Sequence, residues 1–565
     1  MVRLHRIGAI ERCDHEQGEF ISHIFARQKS CGKIRIILNL KQLNQYLSYE
    51  HFKMEHLDYV QHLVNKDDWL GSIDLSDAYF SVKINPDHCK YLRFLWKGEL
   101  FQYKVMVFGL SSAPRVFTRI CKPILATLRG VHGIRCSLYI DDMIVINSSR
   151  LLLKSNLSTI CNIFTSLGFY INKAKSVLEP TKDIKHLGIM ISSSTLTLSL
   201  PEDKIIAIQR KCRQALIKKD KIEIRTVASL VGTFIASMVG TKFGKLHYRK
   251  LEREKILALA NSGGNFESCM RINMGTQDIL WWLSGNIHEP YFFGHVKPSL
   301  TLYSDASNKG WGGHCHNNTT GGRWSSEEQK HHINWLELKA ADLTLKTLTK
   351  DRTDSCLELF LDNTCAVTYI NNMGGRISTL NTIVSDMWNW CKEKNLWVLA
   401  KHIPGAQNCI ADFKSRVFSD RTEWSLCSTA FNNIVARWGK PEIDLFASRL
   451  NNKMDKYFSL EPDPNAVGTD AFVTSWSNFQ LCYAFPPFDI IGRVLSKIKH
   501  DKAHVLLVVP DWKTQYWFPM IRDIAVEEPL HIAMHKRTIS LPFDNTSTHP
   551  IWQRLNLMCY RLSGR

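Results

Sequence analysis

The stretch SLYIDDMIVI, from Ser137 to Ile146, places two adjacent aspartates between two apolar halves. The apolar, β-branched halves predict two strands, and the polar step between them predicts a hairpin with Asp141 and Asp142 at its tip. Upstream, LGSIDLSDAYFSVKI, from Leu70 to Ile84, predicts a strand that turns into a short helix. KIRIILNL, at residues 33–40, predicts a further strand. The sequence therefore predicts a sheet that presents carboxylates at the ends of its strands.

Three aspartates of these segments, Asp74, Asp141 and Asp142, are candidates for a divalent-cation site. Burying a carboxylate beside apolar strands is costly unless a cation or a basic partner compensates. Magnesium prefers such oxygen ligands, and two cations about 4 Å apart suit phosphoryl transfer. By itself an aspartate pair is more often a solvated turn. The sequence around the pair therefore decides between the two interpretations.

That surrounding sequence is an ordered series of motifs. Between residues 33 and 191 the chain carries KIRIILNLKQLN, IDLSDAYFSV, FGLSSAPRVF, YIDD, GFYINKAKS and HLGIMI in this order. The series resembles the ordered motifs of reverse transcriptases, which join deoxynucleotides to a primer 3′-hydroxyl. The resemblance implies a right-hand polymerase with palm, fingers and thumb. It also implies Mg²⁺ as cofactor, two ions per active site, with Mn²⁺ as a substitute.

The resemblance assigns roles to particular residues. Asp74, Asp141 and Asp142 match the catalytic, metal-binding triad, and the Leu75 carbonyl matches a backbone ligand. The implied substrate-binding residues are Lys33, Arg35, Leu75, Tyr79, Phe108 and Gly109. Arg35 matches the arginine that grips the triphosphate with its planar fork of donors, assisted by Lys33.

Two of these roles concern the nucleotide pocket. Tyr79 matches the steric gate, where an aromatic ring would collide with a ribonucleotide 2′-hydroxyl; a buried core tyrosine is the alternative. Phe108 and Gly109 match the pocket positions of an FG motif, although Val107 stands where many relatives have proline. The segment ARQKSCGK carries fewer lysines than the family's doubly basic finger loop.

A second set of acids follows in the chain. Asp305 in LYSDAS, Glu337 in NWLELKA, Asp362 in LFLDNT and Asp412 in NCIADFKSR resemble the acidic set of retroelement ribonuclease H domains. The resemblance implies a second pair of Mg²⁺ ions and hydrolysis of RNA in a hybrid. Each acid alone is better explained as a solvated surface residue, so the set carries the prediction. His402 matches a mobile histidine that helps product release, with a structural histidine as the alternative.

These motifs and changes in hydrophobic pattern predict a multidomain chain of α+β and α/β class. The predicted domains are reverse transcriptase fingers and palm at 1–195, a helical thumb-like region at 196–262, a tether at 263–298, a ribonuclease H-like domain at 299–420 and a small C-terminal α/β domain at 430–565.

The C-terminal segment has a resemblance of its own. PEIDLFASRLNNK, DAFVTSWSNFQLCYAFPPF and VLLVVPDWKTQYWFPMI resemble the segment that follows ribonuclease H in DIRS-type retrotransposons, which integrate with a tyrosine recombinase. FPPF has some likeness to an adenine-methyltransferase loop, with Phe488 as the ring that stacks on a flipped base. Phe485, however, stands where a polar residue is needed to accept the target amino group. A structural or nucleic-acid-binding role is therefore favoured over methyl transfer.

Composition agrees with a nucleic-acid partner. Lysine and arginine number 72 against 53 acidic residues in 565, which gives a net charge of +19. Such a surplus predicts a polyanionic partner, although a merely soluble basic protein is the alternative. Apolar runs stay far below the roughly 20 residues of a membrane span. We therefore expect no membrane association and an intracellular location, in the cytoplasm, the nucleus or both.

The leading hypothesis is an RNA-directed DNA polymerase with ribonuclease H activity. Its expected partners are an RNA template, a DNA primer, the RNA–DNA hybrid and dNTPs, alongside a separately encoded recombinase and structural protein. The competing hypothesis is an inactive or host-adopted copy that only binds nucleic acid. A group II intron or telomerase-like enzyme is a third, and the acids from Asp305 to Asp412 argue against it.

Overall fold

The computed structural model describes residues 1–28, 34–48, 50–294, 297–418, 423–544 and 546–565. The chain divides into two compact units, Met1–His295 and Val296–Arg565. Each unit combines helices with sheets, so the predicted mixed α and β content is confirmed. In the described part of the chain, no helix has the length and apolar character needed to cross a membrane.

The first unit contains eight described helices and sixteen described strands. The helices are α1 (Val2–Arg6), α2 (Leu57–Leu63), α3 (Ala113–Gly130), α4 (Arg150–Ser166), α5 (Glu202–Ile217), α6 (Ile224–Ile235), α7 (Arg249–Asn261) and α8 (Gly275–Leu283). The strands are β1 (Ile10–Arg12), β2 (Ile24–Gln28), β3 (Ile34–Leu38), β4 (Trp69–Ser76), β5 (Arg93–Trp96), β6 (Glu99–Tyr103), β7 (Arg135–Tyr139), β8 (Asp142–Asn147), β9 (Tyr170–Ile171), β10 (Val177–Thr181), β11 (Asp183–His186), β12 (Ile189–Ser192), β13 (Thr197–Ser199), β14 (Ile222–Glu223), β15 (Cys269–Met270) and β16 (Tyr291–Phe292).

The sheet that carries the first aspartates has the order β10-β4-β8-β7, with β9 also paired to β4. β7 and β8 form the predicted hairpin, and their register places Tyr139 opposite Asp142. Ile140, at the turn, has a φ of 57°, which a tight hairpin requires. Helices α3 and α4 pack on the sheet and bury strand residues such as Met143 and Val145.

Two smaller sheets are built from other strands of the N-terminal part. β1, β6 and β5 form an antiparallel sheet whose aromatic core includes Phe94, Phe101 and Tyr103. β2 and β3 form a two-stranded ribbon, with Arg27 opposite Arg35.

The helical part extends beyond the predicted thumb-like region. Helix α8 lies within 263–298, the predicted tether, yet it packs against α5 and α7. Trp282 of α8 stacks on Phe234 with ring centroids 4.8 Å apart, and buried Asp278 accepts a hydrogen bond from the Leu251 backbone. Helix α8 therefore belongs to the helical core, because its buried face packs against α5 and α7.

The second unit contains seven described helices and fourteen described strands. The helices are α9 (Ile333–Leu348), α10 (Thr364–Asn371), α11 (Ser378–Glu393), α12 (Cys409–Arg416), α13 (Ser428–Trp438), α14 (Ile491–Asp501) and α15 (Phe518–Ile524). The strands are β17 (Leu300–Ala306), β18 (Gly310–Cys315), β19 (Asn318–Arg323), β20 (Ser355–Leu361), β21 (Leu396–His402), β22 (Ser425–Leu426), β23 (Ile443–Asp444), β24 (Phe458–Ser459), β25 (Gly468–Thr469), β26 (Cys482–Ala484), β27 (His504–Pro510), β28 (Leu530–Ile532), β29 (Ile539–Ser540) and β30 (Leu557–Ser563).

The first sheet of this unit has the order β19-β18-β17-β20-β21, with β17, β20 and β21 parallel and the other two strands antiparallel. Helices α9 and α12 approach strand β18 very closely. A Cβ on Gly312 would lie 2.4 Å from the Ala411 carbonyl oxygen of α12, and one on Gly313 would lie 2.3 Å from the Thr344 hydroxyl of α9. Glycine at both positions is therefore a packing requirement.

The C-terminal part has its own sheet, of order β23-β26-β27-β30-β28. β23, β26 and β27 are parallel, whereas β30 runs antiparallel to β27. The apolar run of β27 is buried on both faces, which explains why HVLLVVP lacks alternation.

The C-terminal part is hydrogen-bonded to the neighbouring sheet of β17 to β21. Arg449 makes two hydrogen bonds to the Glu328 carboxylate, of 2.8 and 2.9 Å. The Thr320 hydroxyl, on edge strand β19, donates to the Pro462 carbonyl at 2.7 Å. Lys414 of α12 lies 3.0 Å from Glu461.

Candidate active sites

Asp74, Asp141 and Asp142 converge at one end of the β4–β8 pair. Asp74 and Asp142 lie directly opposite each other in the register. The Leu75 N–H donates to the Asp141 carbonyl at 2.8 Å, which brings the hairpin tip against β4. Burial raises the pKa of Asp141, and the charges of Asp74 and Asp142 raise it further. The three carboxylates therefore share one electrostatic environment.

Basic and amide side chains lie against two of these carboxylates. Asn172 donates to Asp74 Oδ1 at 2.9 Å, and Lys175 donates to Asp74 Oδ2 at 3.2 Å. His186 Nδ1 lies 3.3 Å from Asp142 Oδ1. Among the described residues, the three aspartates do not form a group with all ligand atoms within 4.8 Å of one another. Their role as metal ligands stays a prediction.

Tyr79 is a buried core tyrosine, and its role as a steric gate stays a prediction. Its ring is buried between Phe108 and Phe117, with centroids 5.0 and 5.7 Å away. Burial raises the pKa of Tyr79 to about 12, and the charge of Asp141 adds to the shift. The side chain is thus a core residue that lies close enough to Asp141 to sense its charge.

The loop around Gly109 is fixed by a residue that was not singled out from the sequence. Asn44 donates to the Gly109 carbonyl and accepts from the Ser111 N–H, both at 2.9 Å. Gly109 has a φ of 103°, and a Cβ there would lie 3.1 Å from the Leu38 carbonyl. This position therefore requires glycine.

The predicted triphosphate-binding residues are only partly placed. Arg35 lies in β3 opposite Arg27, and Lys33 lies outside the described residues. Leu75 lies in β4 and pairs with Ile171 of β9. Their roles toward a nucleotide stay predictions.

The second set of acids forms a tight cluster. Ligand atoms of Asp305, Glu337 and Asp362 all lie within 4.8 Å of one another. Asp305 belongs to β17, Asp362 directly follows parallel β20, and Glu337 belongs to the helix α9 that packs on β17. Carboxylates from three elements therefore meet at the same end of the sheet.

The electrostatics of this cluster fit a cation site. Burial, together with the charges of Asp305 and Asp362, raises the pKa of Glu337 to about 9. Burial likewise raises the pKa of Asp305 to about 6. Glu337 Oε2 is buried and has no hydrogen-bond partner among the described residues. A buried, unpartnered carboxylate oxygen among like charges is what a divalent cation would stabilise.

Helix α12 supplies two more groups to the cluster. Ser415 is fully buried, and its hydroxyl donates to Asp305 Oδ2 at 2.8 Å. Asp412 contributes charge to the cluster, but its carboxylate is paired with Arg416 at 2.6 Å. Asp412 thus lies beside the three close acids and not within their group. Ser415 was missed in the sequence, where only its place in NCIADFKSR hinted at it.

His402 is exposed at the end of β21, opposite Leu361, the residue that precedes Asp362. In the following loop, Gly405 lies so close that an added Cβ would be 3.2 Å from Asp362 Oδ2. His402 is therefore near the acidic cluster, and its role in product release stays a prediction.

The FPPF loop follows β26 and lines a cavity of about 180 Å³ with Trp424 and His549. The centroids of the Phe488 and Trp512 rings lie 5.4 Å apart. Phe485 lines the cavity with an apolar ring at the position where methyl transfer would need a polar group.

Residues 26–191 match the family model described as "Reverse transcriptase (RNA-dependent DNA polymerase)". The matched segment encloses all three aspartates of the first site.

The relatives of the chain are retroelement and viral polyproteins. The enzymatic polyprotein of Figwort mosaic virus is 23% identical over 399 residues, which are 69% of this chain and 56% of that polyprotein. The retrovirus-related Pol polyprotein from transposon 297 of Drosophila melanogaster is 27% identical over 136 residues, 24% of this chain and 12% of that protein. The chain thus spans little more than half of the first relative.

Among solved structures, the chain is similar to a foamy viral protease-reverse transcriptase in complex with double-stranded DNA, with a TM-score of 0.46 and 16% identity over 70% of this chain and 68% of the other. It is also similar to that protein in complex with an RNA/DNA hybrid, with a TM-score of 0.44 and 15% identity over 75% and 56%.

Proposed function

We propose that the chain is an RNA-directed DNA polymerase with ribonuclease H activity, which copies retroelement RNA into DNA and degrades the RNA of the hybrid. The observation that carries the polymerase half is the placement of Asp74 opposite Asp142, with Asp141 beside them, inside the segment that matches the reverse transcriptase family. The substrates of this proposal are an RNA template, a DNA primer and dNTPs.

Mg²⁺ is the proposed cofactor at both sites, two ions per site, and Mn²⁺ is a substitute. When bound, such ions activate the attacking oxygen and stabilise the charge on the leaving group. Asp74, Asp141 and Asp142 would hold them at the first site, and Asp305, Glu337, Asp362 and Asp412 at the second. The raised pKa of Glu337 supports the second assignment, because a cation would favour its ionised form.

The chain's own groups orient the substrates. Tyr79, wedged between Phe108 and Phe117, would exclude a 2′-hydroxyl from the nucleotide pocket. Arg35 and Lys33 would bind the triphosphate. His402, exposed beside Asp362, would assist the release of cleaved RNA.

The finer classification is also a proposal. The C-terminal segment from PEIDLFASRLNNK onward favours a DIRS-type element, and its parallel β23, β26 and β27 agree with the proposed α/β domain. A tyrosine recombinase in the neighbouring reading frame would support this class, and a retroviral-type integrase there would contradict it.

Two activities measured on one chain test the main proposal. We expect magnesium-dependent primer extension on an RNA template, and magnesium-dependent cleavage of the RNA in a hybrid. Asp141→Asn should abolish extension and leave cleavage, whereas Asp362→Asn should abolish cleavage and leave extension. Each variant is thus the folding control for the other.

The competing function is nucleic-acid binding without turnover. The net charge of +19 favours it equally, because binding needs only the basic surfaces. If the unmutated chain binds a primer–template tightly but neither extends the primer nor cleaves the hybrid, the polymerase proposal fails and the binding function replaces it.

A further inference from the structure

His186 is a buried imidazole at the polymerase site that the proposed function does not use. It is the last residue of β11 and is only 1% exposed. Its Nδ1 lies 3.3 Å from Asp142 Oδ1. Neither ring nitrogen has a hydrogen-bond partner among the described residues.

Such an arrangement has a free-energy cost. A buried polar group without a partner destabilises the folded state, and a phenylalanine could fill similar space without that cost. Nδ1 is within hydrogen-bond range of Asp142 Oδ1, but the direction of its N–H leaves the hydrogen bond incomplete. A rotation of either side chain would complete it.

Asp142 differs in this respect from its cross-strand neighbour. Asp74 already receives hydrogen bonds from Asn172 and Lys175, which fix both of its carboxylate oxygens. Asp142 stands in the first position of β8, one residue after the hairpin turn, with 34% of its side chain exposed. A directed donor from the buried side would limit its rotation.

We propose that His186 is a positioning residue, which donates from Nδ1 to Asp142 Oδ1 and thereby sets the orientation of this carboxylate during nucleotide addition. The inference rests on the proposed polymerase function. Groups that orient metal-ligating carboxylates typically change metal affinity or activity by about 10- to 100-fold when they are removed. His186 acts through Asp142 and has no contact with the substrate in this proposal.

Three substitutions separate hydrogen bonding from packing. His186→Phe keeps the ring and removes both nitrogens. His186→Asn keeps an amide at the same number of bonds from Cα as Nδ1, whereas His186→Gln places it one bond farther, where Nε2 lies. Ser193→Ala is the structural control. Ser193 is also buried in this unit, and its hydroxyl donates to the backbone carbonyl of Asp68 and not to Asp74, Asp141 or Asp142.

Two measurements are made. One is Mn²⁺ binding to the chain without substrates, in an Asp362→Asn background that weakens the second site. The other is single-nucleotide extension of a DNA primer on an RNA template, titrated with MgCl₂ at saturating dNTP. We expect His186→Phe to weaken Mn²⁺ binding and to raise the half-saturating Mg²⁺ concentration by about tenfold or more. His186→Asn should restore most of this loss, His186→Gln should not, and Ser193→Ala should leave the value unchanged. The half-saturating concentration does not depend on the fraction of folded enzyme, so a merely destabilised variant remains informative.

An unchanged half-saturating Mg²⁺ concentration in His186→Phe would overturn the inference. So would equal values for the Asn and Gln variants, because the defect would then follow cavity shape and not donor position. If the unmutated chain shows no extension at all, the proposed polymerase function fails first, and the two failures are distinguished.

Discussion

Replacing Glu337 by glutamine should stabilise the metal-free protein while it abolishes hybrid cleavage. The folded-state pKa of Glu337 is about 9 against an ordinary value of 4.5. The folded chain therefore binds more protons than the unfolded chain between these values, and stability falls as pH rises through this window. Each pH unit above the ordinary pKa lowers the free energy of unfolding by about 1.4 kcal/mol. At pH 7 Glu337 therefore lowers it by about 3 kcal/mol.

The assay is urea denaturation in EDTA between pH 6.5 and 8, above the pKa of about 6 of neighbouring Asp305. The unmutated chain should lose about 1.4 kcal/mol of stability per pH unit more than Glu337→Gln does. Glu328→Gln is the matched control. Glu328 pairs with Arg449 in the same unit, and the loss of this ion pair should destabilise the unit. If Glu337→Gln is less stable than the unmutated chain at pH 7, or keeps the same pH slope, the account of this buried cluster is wrong.

Three further predictions concern single side chains. Ser415→Ala removes the donor to Asp305 and should slow hybrid cleavage by about tenfold, with primer extension unchanged, in paired assays of the two activities. Tyr79→Val should reduce discrimination against ribonucleotides by about 10- to 200-fold, measured as the ratio of kcat/KM for dNTP and rNTP; equal ratios would assign Tyr79 to packing alone. Arg449→Ala leaves the half-buried Glu328 carboxylate unpaired. Urea titrations should then show a free energy of unfolding lower by about 3 kcal/mol. A loss below about 1 kcal/mol would mean that solvent screens the pair.

Local sequence patterns were enough to predict the hairpin. The apolar runs on either side of Asp141 and Asp142 predicted two strands, and the polar step between them predicted the turn. Asp305 and Asp362 could be placed at strand ends because each follows an apolar run, but only the ordered motifs marked them as a set.

Long-range contacts could not be predicted in the same way. Lys175 and Asn172 reach Asp74 across about a hundred residues of sequence, and Ser415 reaches Asp305 across a similar distance. Neither contact has a local signature. The role of α8 was missed for the same reason, because its apolar face finds its partners in α5 and α7 and not in its sequence neighbours.

The hydrogen bond from Thr320 to the Pro462 carbonyl has a practical consequence for anyone cutting the chain. β19 is the edge of its sheet, and Thr320 is completely covered. A fragment that stops at Phe418 would uncover this strand edge, and uncovered edges recruit other strands and aggregate. Insolubility of such a fragment would therefore reflect the missing cover and not a failure of residues 297–418 to fold, so expression of this region calls for the whole C-terminal part.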